Sequence, residues 1–297
     1  MQISVNGTTL WFDVDGPVLV PDGPGMRERP TLLLLHGGPG FDHTGFKPVM
    51  EPLRDLCQIV YLDHRGQGRS GGSDPSHWTL NQWADDVRAF CDALGIVRPI
   101  VLGQSFGGMV AQAYATRHPD HPLAVIFSST TARWDLALVL RRFEEVGGPA
   151  VRAVAEAFWT RMTDADRDAY MRVAMTCYNP RASADPFLRS RGRLKPEVLR
   201  HFSGPNGEMA RMDFRADLAR VRCPTLVLGG LADPVTPHEC SREIAAALVN
   251  APTELVLMDG CGHGVWRDDP EAGIAVLRRF VERVAQARDS VASRPEG

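Results

Sequence analysis

A five-residue motif, Gly103-Gln104-Ser105-Phe106-Gly107, brings together residue types that nucleophilic catalysis requires. It follows an apolar run from Pro99 to Leu102 and precedes a helix-like segment from Met109 to His118. A serine at a strand-to-helix turn has a strained backbone and an exposed hydroxyl, and the flanking glycines give the turn room. The N-terminus of the following helix adds partial positive charge where an oxyanion would form. The same motif also occurs by chance in ordinary glycine-rich turns, so other residues must decide its meaning.

A serine hydroxyl needs a general base, and the base needs an acid that orients it. Asp233 and His263 each follow a predicted strand, as Ser105 does. Because loops converge at the carboxyl ends of parallel strands, we expect the three side chains to meet. Asp259 is a competing acid, but it lies on the base's own loop, from which it cannot easily reach around the ring. The alternatives are that Asp233 is a simple turn residue and that His263 is a structural histidine. They require that the three residues follow three strands in the right order by coincidence.

An oxyanion is stabilised by backbone N–H groups that point at the developing charge. Phe106 directly follows the serine at the predicted helix N-terminus and is the first expected donor. The second is Gly38, in the segment His36-Gly37-Gly38-Pro39-Gly40 after a leucine-rich strand, because glycine backbone approaches a substrate closely. His36 is an alternative base, but a histidine in such a loop is more often a structural residue bonded to the backbone.

Strands and helices alternate around these residues. Gln2 to Val5 and Thr9 to Val14 predict a hairpin around the turn Asn6-Gly7. Asp15 to Pro30 is rich in glycine and proline and predicts a connecting loop. Later apolar runs are typical of strands buried on both faces of a parallel sheet. These runs are Thr31 to Leu35, Gln58 to Leu62, Pro99 to Leu102, Leu123 to Phe127, Pro224 to Gly229 and Thr253 to Met258.

Two predicted helices begin with the residue pattern of a capping box. Thr79 and Gln82 mark the start of a helix from Leu80 to Leu94, and Thr236 and Glu239 open another that extends to about Val249. A last helix is predicted from Pro270 to Ala287. With the helix after Ser105, these elements predict an α/β fold whose central sheet is mostly parallel and flanked by helices.

The alternation stops between residues 131 and 220, where we find helix-like segments and no convincing buried strand. The segments are Trp134 to Glu145, Pro149 to Met162, Asp164 to Cys177 and Glu197 to Phe202. We therefore predict a core of residues 1–130 and 221–297, with residues 131–220 inserted after the sixth strand as a helical cap. An insertion at this place would act as a lid that shapes the pocket and excludes water, and a passive helical extension is the alternative.

Composition excludes several classes of function. The 297 residues are 44% hydrophobic and 23% charged, with a net charge of −3 and mixed signs, which disfavours nucleic-acid binding. No apolar run approaches the roughly 18 to 20 residues that cross a bilayer, and no signal peptide is visible, so we expect a cytoplasmic protein without a membrane partner. The six cysteines lack metal-ligand spacing, which predicts free thiols and no metal. The oligomeric state stays open.

With these residues in hand, the chain resembles the α/β-hydrolase superfamily over nearly its whole length. The order Ser105, Asp233, His263 along the chain is the order of that superfamily. Within it the chain is similar to proline iminopeptidases (prolyl aminopeptidases). The likeness is carried by HGGPG at residues 36–40, DHRGQGRS at 63–70, SGPNGEM at 203–209 and GCGH at 260–263.

The resemblance implies a serine hydrolase that needs no cofactor and removes an N-terminal residue, often proline, through an acyl-enzyme. In such enzymes acidic cap residues hold the free ammonium of a short peptide or other small substrate. The family's G-P-x-E-F-like segment points to Glu208 for this role, although Gly207 adds one residue to the register. Family members commonly have G-G-S-W-G around the nucleophile, so Gln104 and Phe106 are departures that bear on the proline preference.

Two other functions remain open from the sequence. The same core and triad serve esterases, lactonases and amidases that act on a small neutral acyl group, and an acidic side chain facing the pocket would distinguish an aminopeptidase from them. The second alternative is a non-catalytic relative that uses the pocket to bind a ligand, against which the intact triad argues. A dehalogenase is disfavoured because Ser105 stands where that chemistry requires a carboxylate.

Overall fold

The computed structural model describes residues 1–181, 190–204 and 206–292, and an eight-stranded sheet lies at the centre of this part of the chain. The described residues contain ten strands, which are β1 (Gln2–Val5), β2 (Thr8–Asp15), β3 (Leu19–Asp22), β4 (Gly25–Glu28), β5 (Thr31–Leu35), β6 (Gln58–Leu62), β7 (Ile100–Gln104), β8 (Ala124–Ser128), β9 (Thr225–Gly230) and β10 (Thr253–Met258). All of them except β3 and β4 belong to this sheet. The sheet order is β1-β2-β6-β5-β7-β8-β9-β10. β2 pairs antiparallel with both β1 and β6, and the pairs from β6 to β10 are parallel. The predicted mostly parallel sheet is confirmed.

Helices cover both faces of the sheet. They are α1 (Leu80–Leu94), α2 (Phe106–Arg117), α3 (Leu136–Arg161), α4 (Asp164–Arg172), α5 (Pro196–Ser203), α6 (His238–Ala247) and α7 (Pro270–Ala292). Successive strand residues point to opposite faces, so Leu33 and Leu35 pack with α1 and α2. Leu32 and Leu34 pack on the other face with α7. A strand buried on both sides needs an unbroken apolar run, which is the pattern that the sequence shows.

The two ends of α1 follow from its flanking residues. The Thr79 hydroxyl accepts the N–H of Gln82 at 3.2 Å, and Gly95 ends the helix with a φ of 69°. This bond is one half of the predicted capping box. The Gln82 side chain donates to Asp86 instead of reaching back to the N-cap.

The loop predicted for Asp15 to Pro30 is wrong in part, because β3 and β4 form a two-stranded hairpin there. The pairing runs from Leu19 opposite Glu28 to Asp22 opposite Gly25. Nearly all of its residues are exposed, so no buried apolar face marks these strands in the sequence.

The described residues between β8 and β9 form helices α3, α4 and α5 together with short 3₁₀ turns. The two helices predicted from 134 to 162 are continuous in α3 except at Gly148, whose φ of 79° breaks the helical path. A separate hydrophobic cluster packs α3 against α4, with Phe158 and Tyr170 stacked at a centroid distance of 4.2 Å. We call residues 131–220 the cap.

None of the helices in the described residues is long and apolar enough to cross a bilayer. All six cysteines are free thiols. Burial raises the pKa of Cys57, Cys91, Cys223 and Cys240 to about 12, so these thiols stay protonated and unreactive at neutral pH.

Candidate active site

Ser105 lies in the sharp turn between β7 and α2, with a φ of 57° and a ψ of −120°. A non-glycine residue in this region of backbone space is strained and holds its side chain away from both flanking elements. A Cβ added to Gly103 would lie 2.2 Å from the carbonyl oxygen of Gly107, and one added to Gly107 would lie 2.0 Å from that of Leu35. Only glycine fits at either position, which is the reason for the motif's spacing.

Ser105, His263 and Asp233 form one continuous chain of hydrogen bonds. His263 Nε2 lies 2.9 Å from the Ser105 hydroxyl, and His263 Nδ1 lies 2.8 Å from Asp233 Oδ2. Because a carboxylate only accepts, the proton is on Nδ1, and Nε2 is left to accept from the serine. All three residues are buried. The structure therefore brings together the three residues that the sequence singled out.

Asp233 is fixed by further donors on its own loop. Its Oδ1 accepts the backbone N–H groups of Val235 and Thr236, at 2.8 and 2.9 Å. Its Oδ2 accepts the Thr236 hydroxyl at 2.8 Å in addition to His263. The sequence interpretation gave Thr236 a helix-capping role with Glu239, and this is wrong. α6 begins at His238 without a side-chain cap, since the hydroxyl of Thr236 faces Asp233.

The segment just after β8 is hydrogen-bonded to the serine turn, to strand β9 and to the residue that follows His263. Thr130 donates its hydroxyl to the carbonyl of Ser105 at 2.8 Å. The Ser129 hydroxyl accepts the N–H of Gly264, at 3.0 Å, while its own N–H bonds the carbonyl of Leu228 at 2.8 Å. Sequence analysis missed this segment, although four consecutive hydroxyl residues, 128–131, stand at its start.

Phe106 and Gly38 are the residues predicted to donate backbone N–H groups to an oxyanion. Phe106 is the first residue of α2, so its N–H has no acceptor within the helix. Gly38 lines the cavity above Ser105 and has a φ of 134°, which a side chain would strain. Both residues therefore stay the predicted donors to an oxyanion.

The side chain of Phe106 is not a wall of the cavity. Its ring packs edge-on against Trp83 and Phe202, at centroid distances of 4.9 and 5.1 Å, and it is almost fully buried. Trp159 of the cap lines the cavity instead. The exchange of an indole for a phenyl ring at position 106 therefore alters the core under the turn, whereas the sequence interpretation connected it with the proline preference.

His36 is a structural histidine, as its loop position predicts. Its Nδ1 donates to the carbonyl of Gly37 at 2.8 Å, and its Nε2 accepts the N–H of His64 at 3.2 Å. Burial lowers the pKa of His36, so the ring is neutral and both nitrogens are engaged. It is not placed to act as the base.

A cavity of about 430 Å³ opens onto Ser105 and His263. One side comes from the core loops after β5, and the other comes from the cap. Its apolar lining includes Phe41, Phe46, Trp159, Met175, Tyr178 and Val235. A pocket of this size, largely apolar with a few converging polar groups, suits a small molecule or a short peptide end.

Three buried residues, Asp42, His43 and Asp63, are close enough to resemble a metal site. Asp63 accepts the backbone N–H and ring Nδ1 of His43 at 3.0 and 2.7 Å, and the N–H of Arg69 at 2.8 Å. Asp42 accepts the N–H of Thr44 at 3.0 Å and the Arg69 guanidinium at 2.9 Å. Protons therefore already occupy the oxygen positions that a cation would need, and the cluster is a structural network.

Glu208 lies away from the cavity. Its Oε2 accepts the N–H of Leu80 at 2.8 Å, so it satisfies a free donor at the start of α1. Burial raises the pKa of Glu208, and the hydrogen bond from Leu80 partly offsets that rise. Since it is not among the residues that line the cavity, the structure does not bring this predicted substrate residue to the triad.

Comparison with known proteins shows the family to which the chain belongs. Residues 30–270 match the family described as alpha/beta hydrolase fold, and the chain belongs to that family. The resemblance and fold class predicted from sequence are thereby confirmed, and the protein is a hydrolase.

Among individual relatives, the proline iminopeptidase PfmaB of Pestalotiopsis fici is 25% identical, over 95% of this chain and 99% of its own. A protein of Caulobacter sp. strain K31, provisionally named carbamate hydrolase RutD, is 28% identical over 90% of this chain and 96% of its own. The crystal structure of a proline iminopeptidase from Mycobacterium smegmatis superposes with a TM-score of 0.76 at 21% identity, covering 97% of this chain and 99% of that one. The structural match supports the fold alone.

Proposed function

We propose that the protein is a serine hydrolase that cleaves a small neutral ester, lactone or amide through an acyl-enzyme. The observation that carries this proposal is the unbroken hydrogen-bonded chain from Ser105 through His263 to Asp233, next to a cavity of about 430 Å³. A hydroxyl, an imidazole and a carboxylate in this order are what acyl transfer through a serine requires. Membership of the fold family supports hydrolysis, whereas the substrate class is proposed from the site alone.

The steps follow from the positions of the atoms. As Ser105 Oγ attacks the carbonyl carbon, its proton passes to His263 Nε2, and Asp233 stabilises the imidazolium that forms. The N–H groups of Phe106 and Gly38 bind the oxyanion. His263 then gives the proton to the leaving alkoxide or amine, which departs and leaves the acyl group on Ser105. A water molecule attacks the acyl-enzyme, its proton passes through His263 to Ser105, and the acid is released.

The charges around the cavity favour a neutral acyl group. Among the described residues that line it, Asp42 is the acid, and Arg181 and Arg267 are cations. Asp42 is almost fully buried and already accepts hydrogen bonds from Arg69 and from the backbone N–H of Arg193, at 2.9 Å each. Within the described part of the lining, a substrate ammonium would therefore find no carboxylate that is not already hydrogen-bonded, which disfavours its binding.

Proline iminopeptidase-like removal of an N-terminal residue is the second candidate. It is supported by the relative from Pestalotiopsis fici, which aligns over 99% of its own length. The cavity also has an aromatic wall, with Trp159 and Tyr178 contributed by the cap, on which a pyrrolidine ring could pack. These observations are the reason to test an aminopeptidase activity, although the described lining residues include no carboxylate that could bind the substrate ammonium without first losing a hydrogen bond.

The test compares turnover of 4-nitrophenyl butyrate, prolyl 4-nitroanilide and N-acetylprolyl 4-nitroanilide. Ser105→Ala is the blank, and Ser73→Ala, at an exposed serine, is the matched control. We expect ester cleavage that disappears in Ser105→Ala and persists in Ser73→Ala. Preference for the free-amine anilide over its acetylated form would move the assignment to an aminopeptidase. Full turnover by Ser105→Ala would overturn the mechanism, and wild-type protein that binds these compounds without turnover would indicate a non-catalytic relative.

A further inference from the structure

Both backbone polar groups of His263 are hydrogen-bonded to the cap. The N–H of His263 donates to the carbonyl of Tyr178 at 2.7 Å, and its carbonyl accepts Nδ2 of Asn179 at 3.1 Å. The two cap residues directly follow the short 3₁₀ helix after α4. The histidine that faces Ser105 is therefore held by a part of the chain outside the core that carries it.

Asp268 joins the cap a second time to residues 259–264, the loop that carries His263. We call this segment the histidine loop. Its Oδ2 accepts Nδ2 of Asn179 and the N–H of Gly262, both at 2.7 Å, and its Oδ1 accepts the N–H of Arg181 at 2.9 Å. Asp268 is 6% exposed, so these bonds are shielded from water. One buried carboxylate thus gathers two donors from the cap and one from the residue before His263. We call Tyr178, Asn179 and Asp268 the histidine clasp.

The histidine loop and the cap backbone at Tyr178 lie so close together that only glycine fits at position 262. A Cβ there would lie 2.0 Å from the carbonyl oxygen of Tyr178. The ring of Tyr178 also meets the ring of His263 edge-on, at 5.2 Å between centroids, and its hydroxyl pairs with that of Tyr170 in α4 at 2.7 Å. The cap therefore contacts both the backbone and the imidazole of His263.

The histidine loop needs such outside support because of its composition. Residues 260, 262 and 264 are glycines, and Gly260 and Gly264 have φ values of 65° and 84°. Glycine restricts its own backbone least of all residues, so this loop has little intrinsic rigidity. The position of His263 must then be fixed by the groups that bind the loop.

We propose that Asn179 and Asp268 are positioning residues that hold His263 at hydrogen-bond distance from Ser105. The inference rests on the proposed serine-hydrolase function and extends it, since the cap becomes part of the scaffold of the triad as well as a wall of the pocket. A misplacement of about 1 Å in a catalytic group can lower the rate by about 100-fold. Loss of the clasp therefore acts on the chemical steps through His263.

The principal variant is Asn179→Ala, assayed on 4-nitrophenyl butyrate in full-length protein whose fold is checked by circular dichroism. We expect kcat to fall by about tenfold or more, in line with the effect of a displaced base. Asn250→Ala is the matched control, because that exposed asparagine donates one bond, to the carbonyl of Ala219 at 2.7 Å, far from the site. Asp268→Asn, which keeps the size of the side chain, is the second variant and should lower kcat with KM changed by less than about twofold, since Asp268 does not line the cavity.

A double-mutant cycle with His263→Ala separates positioning from a general structural effect. If the clasp acts through His263, Asn179→Ala causes no further loss in the residual ester hydrolysis of His263→Ala. An equal fold-loss in both backgrounds would overturn the proposal, as would unchanged kcat for both Asn179→Ala and Asp268→Asn. Failure of the proposed function is a different result, namely turnover that survives in Ser105→Ala.

Discussion

The hydroxyl of Thr236 donates a hydrogen bond to Oδ2 of Asp233 across 2.8 Å. The same hydroxyl lies 3.3 Å from Nδ1 of His263. Thr236 therefore touches both partners of the bond that orients the imidazole, and it competes with neither, because Asp233 has acceptor positions for each donor. We therefore expect Thr236 to help orient the imidazole, a role that its sequence context does not reveal.

We expect Thr236→Val, which has the same shape without the hydroxyl, to lower kcat/KM by about tenfold. A hydrogen bond to a charged group contributes about 1.5–3 kcal/mol, and the two backbone N–H donors that remain on Asp233 retain part of the effect. Thr236→Ser should keep most of the activity. Steady-state kinetics on 4-nitrophenyl butyrate measures both, and equal activity of the valine and serine variants would refute this role.

Gly107→Ala tests the geometry of the serine turn. The added Cβ would lie 2.0 Å from the carbonyl oxygen of Leu35, a backbone atom of the central sheet. Overpacking of a close-packed interior costs about 1–3 kcal/mol and sometimes more, so we expect a loss of at least about 3 kcal/mol or failure to fold. In Gly25→Ala, the control, the Cβ meets only the carbonyl of Asp22 at 3.8 Å. Urea unfolding that finds the two variants equally stable would contradict the packing argument.

Glu208→Ala distinguishes a helix-capping role from an amine-binding role. Loss of a side chain that caps a helix costs about 0.5–2 kcal/mol, so we expect lower stability by about 1 kcal/mol and unchanged ester hydrolysis. Glu208→Gln retains an acceptor for the N–H of Leu80 and should recover much of the stability. Thermal unfolding and kinetics on a free-amine anilide measure the two roles separately. A raised KM for that anilide with normal stability would restore the amine-binding interpretation.

Stability should fall as the pH is lowered from 7.5 to 5, partly because of His64. Burial lowers the pKa of this histidine well below its usual value, the neighbouring His36 lowers it further, and Asp63 opposes the shift. The unfolded chain takes up a proton near pH 6.5 that the folded protein does not, so stability is full above that pH and is lost below it. The slope from one such group is at most about 1.4 kcal/mol per pH unit.

The measurement is the free energy of unfolding in urea at several pH values for wild type and His64→Gln. We expect a flatter pH dependence in the variant, whatever its absolute stability. Parallel curves for the two proteins would show that His64 does not contribute.

The sequence was sufficient for the parts of the site that follow strands. Ser105, Asp233 and His263 could be predicted because each comes after an apolar run, and the carboxyl ends of parallel strands meet at one edge of the sheet. Thr236 was misassigned because a threonine followed three residues later by a glutamate also fits a capping box. The local sequence pattern could not show that the Thr236 hydroxyl would donate its hydrogen bond to Asp233 instead of capping the helix.

Two of the remaining differences have one physical cause, because the residues that contact each other lie far apart in the sequence. Asn179 and Asp268 are 89 residues apart, and Glu208 and Leu80 are 128 apart. Neither hydrophobic periodicity nor a local motif predicts such contacts, since they depend on how the cap packs against the core. The β3–β4 hairpin was missed for a different reason, because its exposed strands have no apolar face to mark them.

The carbonyl of Tyr178 and the amide of Asn179 have a consequence for protein engineering. A chimera in which residues 131–220 are exchanged for the corresponding region of a relative would change the pocket wall, which is usually the aim. It would also remove the acceptor and the donor that hold the backbone of His263. Grafts that retain residues 178–181 together with Gly262 and Asp268 should therefore keep turnover while changing selectivity, whereas grafts of the whole region should bind new substrates and convert them slowly.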